Sequence, residues 1–225
     1  MRYARLCLFL GLLTSGLHAG HFVADNVLDY KALIAPPPAA DSLVTRAELD
    51  VVLQLQDLRT PALAKRAQEI ENETIFSFGA DVVGPWFAAD KLPKTAVLFA
   101  AVREDFIPVN RGSKAVWPRK RPPFADPRVK PCVEFSDSGA YPSGHGIQSA
   151  LWAALLGELL PESAAGFQAR ALETRRMKLF TGVHYPSDLE AGRLVGEALA
   201  HEMLKSPALQ AALAECRAEI AAARR

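Results

Sequence analysis

An excess of either charge is missing from this chain: 26 Lys and Arg stand against 25 Asp and Glu over 225 residues, for a formal net charge of +1. A nucleic-acid surface usually brings a clear basic surplus, so no nucleic-acid partner is expected. A chain this balanced, and half hydrophobic, is not a solvated disordered one either. Beyond residue 20 no apolar run approaches the eighteen residues of a membrane helix, so no stable membrane insertion is expected after the N-terminal segment. Internal repeats, Gly/Ser linkers and strand-like alternation of useful length are also absent. Carboxylates and thiols are not clustered at ligand spacing, so neither a metal nor a cofactor is expected.

The length suits one domain with a real core. Residues 1–19 have the form of a secretory signal: Arg2 and Arg5, then an apolar stretch from Leu6 to Leu13, then Leu17-His18-Ala19 as a cleavage site. A periplasmic or secreted protein is therefore expected. Of three cysteines, Cys7 falls in that segment. Cys132 and Cys216 could form one disulfide in an exported protein or remain two free thiols. Residues 20–44, with Ala35-Pro36-Pro37-Pro38-Ala39, read as an extended proline-rich arm, and residues 45–225 as a helical domain.

Helix signals dominate that domain. Thr45 with Glu48 has capping-box spacing, and Thr60-Pro61 reads as N-cap and first-turn proline of a helix to Glu71. Pro93 opens another helix. The stretch from about Pro108 to Gly139 carries Pro, Arg and Lys without a sustained period and is expected to be mostly loop. Helical spacing resumes from Ile147 to Leu159, from Ser163 to Phe180, from Pro186, and from Ser206-Pro207 to the C-terminus. The expectation is a single all-α domain.

The candidate chemistry lies in short motifs. Ser143, at an N-cap position in Pro142-Ser143-Gly144-His145, leaves the N–H groups of residues 143 to 145 as an anion site. Tyr185 precedes Pro186 and is driven out of the helical region, so His184 belongs to the turn and Asp188 to the first helical turn, where it can accept the imidazole N–H. Lys114 and Arg121 add cations. Glu104 and Asp105 are candidates to brace them, while Trp117, Phe124 and Tyr141 flank the motifs.

Together, Lys114, six residues, Arg121-Pro122, then Pro142-Ser-Gly-His145, then His184 with Asp188 closely resemble the three-part signature of the type 2 phosphatidic acid phosphatase superfamily. Within it the chain is similar to the class A bacterial non-specific acid phosphatases, whose site the vanadium-dependent haloperoxidases share. The resemblance implies a single-domain helical bundle and hydrolysis of small phosphate monoesters through a phosphohistidine on His184. It implies that Asp188 orients His184 and that His145 is the acid and later the base. Lys114, Arg121, Ser143 and the Gly144 N–H would then hold the phosphoryl oxygens.

One position departs from that signature. The third motif opens with Ser-Arg, and here Met177 and Lys178 stand in those places. Lysine keeps the charge but not the two-pronged donor, with Arg175 or Arg176 as candidate substitutes. The alternative reading is therefore a phospholigand-binding protein with reduced or lost turnover. The sequence leaves a homo-oligomer open.

Overall fold

Sequence punctuation decides most helix starts. In the computed structural model, which describes residues 21–24 and 26–224, ten α-helices follow one another: α1 (Tyr30–Leu33), α2 (Leu43–Asp57), α3 (Pro61–Glu71), α4 (Ile75–Val83), α5 (Pro93–Val116), α6 (Pro122–Ala125), α7 (Gly144–Leu159), α8 (Ala164–Phe180), α9 (Pro186–Leu204) and α10 (Pro207–Ala223). Strands are absent among the described residues, so the protein is all-α. The expected signal segment and Cys7 lie outside the described residues. Thr60 and Ser206 cap α3 and α10 by accepting from Leu63 and Leu209, each with proline in the first turn. Cys132 and Cys216 are both free thiols.

Three expectations need correction. First, α2 begins at Leu43 under a Ser42 cap, not at Thr45. The Thr45 hydroxyl instead donates to Ala39 O at 2.8 Å, which anchors the proline-rich arm, and that arm contains the short helix α1. Second, α5 runs unbroken through Pro108 to Val116, so Lys114 is helical rather than in a loop. Pro108 is exposed, and the buried Leu98, Phe99, Val102, Val109 and Ser113 hold the helix on both sides of it, offsetting the missing hydrogen bond. Third, α4 was not anticipated. Its signal is a capping box in which Thr74 and Ser77 accept from each other's backbone N–H.

The core is built around α7. Ile147, Leu151, Leu155 and Leu156 are fully buried and Leu159 nearly so, leaving little of this helix polar, as expected for a central one. Truncating one such leucine to alanine costs about 2–5 kcal/mol. The neighbouring α9 runs parallel to α7 along a seam of glycines. A Cβ on Gly146 would lie 2.9 Å from Leu189 O, one on Gly192 2.5 Å from Ser143 O, and one on Gly196 2.2 Å from Ile147 O. Backbone therefore meets backbone, and the N-termini of the two helices arrive side by side. The connecting helix α8 returns antiparallel, so its C-terminal turn comes back to the same end of the bundle.

Candidate active site

At that end, the segment after α5 sets the first cation. Pro118 to Arg121 is extended, and burial alternates with period two: Arg119 and Arg121 are buried, Pro118 and Lys120 exposed. Arg121 donates from Nε to Ser138 O at 3.0 Å and from Nη2 to Ser138 Oγ at 3.2 Å. Its Nη1 reaches Val183 O at 3.2 Å and His184 Nε2 at 3.1 Å.

That last contact assigns a tautomer. A guanidinium can only donate, so His184 Nε2 is the unprotonated nitrogen and Nδ1–H faces Asp188 Oδ2 at 3.3 Å. Asp188 Oδ2 also accepts Tyr185 N–H at 2.8 Å, which places the carboxylate in the first turn of α9 as expected. His184 is 3 % exposed. Burial, followed by Arg121, Lys178, Lys114 and His145, drives its pKa well below the ordinary 6.5, so the ring is neutral at physiological pH.

Asp188 depends on residues the motifs did not single out. Arg119 Nη1 donates to Asp188 Oδ1 at 2.7 Å, and Nη2 to Glu48 Oε2 at 2.8 Å. Glu48, expected to cap α2, instead accepts Ser187 N–H at 2.7 Å and Ser187 O–H at 2.9 Å. Burial raises the Asp188 carboxyl pKa, and Arg119 opposes that rise.

Ser143 is the N-cap of α7, its Oγ accepting Gly146 N–H at 3.3 Å. The anion site is narrower than the sequence suggested, because Ser143 N–H donates to Asp188 O at 2.8 Å. The Gly144 and His145 N–H groups remain as first-turn donors without an intrahelical partner. That same Ser143–Asp188 bond joins the two motif-bearing helix ends. His145 lies beside them with Nε2 3.2 Å from Glu71 O. Burial and then the Lys178 charge lower its pKa to about 4.

Lys114 and Lys178 complete the cationic wall. Lys114 Nζ donates to Gly139 O and Pro142 O, both at 2.7 Å, bracing the loop ahead of Ser143. Burial, then Arg121, lowers it to about 8. Lys178 is 1 % exposed and forms a short ion pair with Glu71 Oε2. Burial lowers its pKa as Glu71 resists.

The structure thus brings all eight expected residues to one place: Lys114, Arg121, Ser143, Gly144, His145, Lys178, His184 and Asp188. The candidate substitutes for Lys178 do not join them. Arg175 lies within the electrostatic reach of Arg193, Glu190 and Glu197 on α9, and Arg176 is exposed. Asp105 does not brace Lys114 or Arg121 either; it accepts Phe22 N–H at 2.8 Å and meets His21 Nδ1 at 2.5 Å. Glu104 pairs with Arg103. Trp117 packs edge-on against Tyr141, whose hydroxyl donates to Ala35 O, and Phe124 packs against Phe135.

Three residues beside this site, Arg119, Glu48 and Glu71, were not expected there from the sequence. For Arg119, the signal was its position two residues before Arg121 in an extended stretch, where i and i+2 share a face. Glu48 and Glu71 come from distant helices and leave no local trace.

Comparison with known proteins bears on the family and the fold. The chain is 28% identical over 195 residues to a non-specific acid phosphatase of Salmonella typhi, covering 83% of this chain and 78% of that one. It is 29% identical over 184 residues to an acid phosphatase of Zymomonas mobilis, covering 78% and 67%. In fold it is similar to a transmembrane PAP2 type phosphatidylglycerolphosphate phosphatase from Bacillus subtilis, with a TM-score of 0.53 and 21% identity over 78% of this chain and 90% of that one. No helix among the described residues of the present chain is long and apolar enough to cross a membrane. The PAP2 superfamily model matches residues 94–210, more than half of the 225 residues and the whole run from Lys114 to Asp188, so the chain belongs to the PAP2 superfamily.

Proposed function

We propose that the protein is an acid phosphatase that hydrolyses small phosphate monoesters without a metal, through a phosphohistidine on His184. The observation that carries this is the pair of contacts to His184. Asp188 takes Nδ1–H, and Arg121 holds the unprotonated Nε2 among Lys114, Lys178 and the open N-terminus of α7. A buried neutral imidazole with its lone pair facing a cationic pocket is suited to attack an electrophile that arrives with negative charge. The relatives named as acid phosphatases support the same reading.

In the first step the Nε2–P bond forms as the P–O ester bond breaks, and His145 gives its proton to the leaving oxygen. In the second, His145 takes a proton from water, whose oxygen attacks phosphorus as the Nε2–P bond breaks and phosphate leaves. Arg121, Lys114, Lys178, Ser143 and the Gly144 N–H stabilise the equatorial oxygens in both. Free His145, with a pKa near 4, is a poor proton reservoir at neutral pH. A phosphoryl dianion bound beside it raises that value, so substrate itself primes the acid. Among the described residues no group of three or more His, Cys, Asp or Glu side chains could hold a metal ion. The signal-like residues 1–19 support export to the periplasm or beyond.

The test is hydrolysis of p-nitrophenyl phosphate in EDTA, with a denaturing alkaline quench of labelled substrate, since the P–N bond of a phosphohistidine survives alkali but not acid. Turnover with label trapped on His184 is expected, as is competitive inhibition by vanadate. Loss of activity in EDTA with rescue by one divalent metal overturns the mechanism. Saturable phosphate binding without turnover leaves the binding-protein reading in its place.

A further inference from the structure

Glu71 does not figure in the phosphatase reading, yet its carboxylate sits inside the cationic wall. It is the last residue of α3. Its main-chain oxygen meets His145 Nε2 at 3.2 Å, and its side chain makes the short ion pair with Lys178. The two partners differ in access: the Lys178 side chain is 2% exposed and that of Glu71 27%. Glu71 also lines an open cleft of about 610 Å³ with Gln68, Cys132 and Glu134. The carboxylate therefore stands between that cleft and the buried ammonium.

The charges of the site make this position consequential. Asp188 and Glu48 are both answered by Arg119, at 2.7 and 2.8 Å. Glu71 lies in the field of Arg121 but forms its ion pair with Lys178, a cation otherwise available to an oxyanion. A carboxylate oxygen and a phosphoryl oxygen ask the same thing of an ammonium: a charge-assisted N–H···O bond. An ammonium can donate to more than one oxygen, but two anionic groups brought to one buried nitrogen repel at close range.

We infer that Glu71 is the resident anion of the phosphate pocket: its carboxylate holds Lys178 in the free protein and yields it to the phosphoryl oxygens, so that Glu71 sets affinity for the oxyanion. The inference rests on the phosphate-site reading above. Glu71 is a specificity-determining residue here rather than a catalytic one. It lowers the charge that an incoming dianion meets by one unit, counting Lys114, Arg121 and Lys178 against it, and it keeps Lys178 from being a buried unpaired cation while the site is empty.

The experiment is calorimetric binding of inorganic phosphate and of orthovanadate to the intact protein, to Glu71→Gln and to Glu71→Asp, with near-UV circular dichroism as the check on folding. Glu71→Gln should bind both oxyanions about tenfold more tightly, which is roughly 1.4 kcal/mol. Glu71→Asp, which keeps the charge but withdraws it by one methylene, should fall between the two and serves alone if the glutamine variant does not fold. Tightening is the informative direction, because loss of a merely structural brace weakens binding. Unchanged or weaker binding by folded variants of a parent that binds phosphate overturns this inference and leaves the phosphatase reading intact. A parent that binds neither oxyanion overturns both.

Discussion

Acid should destabilise this protein through the residue proposed to make it an acid phosphatase. His145 has its pKa lowered from 6.5 to about 4 by burial and the Lys178 charge. Below pH 6.5 the unfolded chain takes up a proton on this imidazole, whereas the folded chain resists until about pH 4. The unfolded state therefore binds more protons across that window, and stability falls as the pH drops through it. The fall from 6.5 to about 4, at about 1.36 kcal/mol per pH unit, amounts to about 3 kcal/mol, most of it lost by about pH 4.5. That is a large share of the roughly 5–15 kcal/mol that hold a domain folded. His184, also depressed, adds to the effect in the same direction. Carboxylates pull both ways: Asp81 and Glu190 are lowered, Glu73 and Asp188 raised. The comparison is therefore between the parent and His145→Gln, which keeps an N–H for Glu71 O and removes the titration. Urea unfolding followed by circular dichroism at about pH 7 and about pH 4.5 should show the parent losing roughly 2–3 kcal/mol more than the variant. Equal losses refute the buried, cation-facing environment assigned to His145.

Further expectations follow from the same contacts. Lys178→Met removes the cation that does most to hold the His145 pKa down, so the alkaline limb of kcat/KM should move to higher pH while the maximum rate falls; a profile that scales without shifting would place Lys178 too far from His145 to matter. Arg119→Ala strands Asp188 and Glu48 as buried carboxylates and should cost about 3–5 kcal/mol, read as a fall in Tm, together with most of the turnover. His184→Ala should abolish both the trapped alkali-stable label and turnover on p-nitrophenyl phosphate, whereas preserved turnover would mean direct attack by water.

The parts of the fold legible in the sequence were those with local causes. Thr60-Pro61, Pro93, Ser143, Pro186 and Ser206-Pro207 announce helix starts through capping and proline chemistry, which act within one turn. The eight residues that the motifs singled out likewise lie together in the fold. The failures have a common physical origin in tertiary competition for a side chain. Thr45 and Glu48 have the spacing of a cap, but the proline-rich arm takes the hydroxyl, and Ser187 with Arg119 takes the carboxylate. Pro108 reads as a helix breaker, but packing of Val102 and Val109 overrides it. Glu71 meets Lys178 across 107 residues, and no local pattern encodes such a meeting.

The glycine seam between α7 and α9 bears on how this protein can be made sturdier. Glycine inside a helix costs roughly 0.5–1 kcal/mol relative to alanine, so Gly146, Gly192 and Gly196 together leave about 2 kcal/mol of helix propensity unrealised. Thermostabilising programmes commonly recover such losses by replacing glycine with alanine. Here that route is closed, since each added methyl would strike the facing main chain at 2.2 to 2.9 Å and wedge apart the helix ends that carry His145 and Asp188. Gly157, two turns or more further along α7, meets only the Ala164 side chain at 3.4 Å and its Cα at 3.8 Å. The same exchange there should raise Tm and leave the site alone, so stability and activity can be tuned separately at opposite ends of one helix.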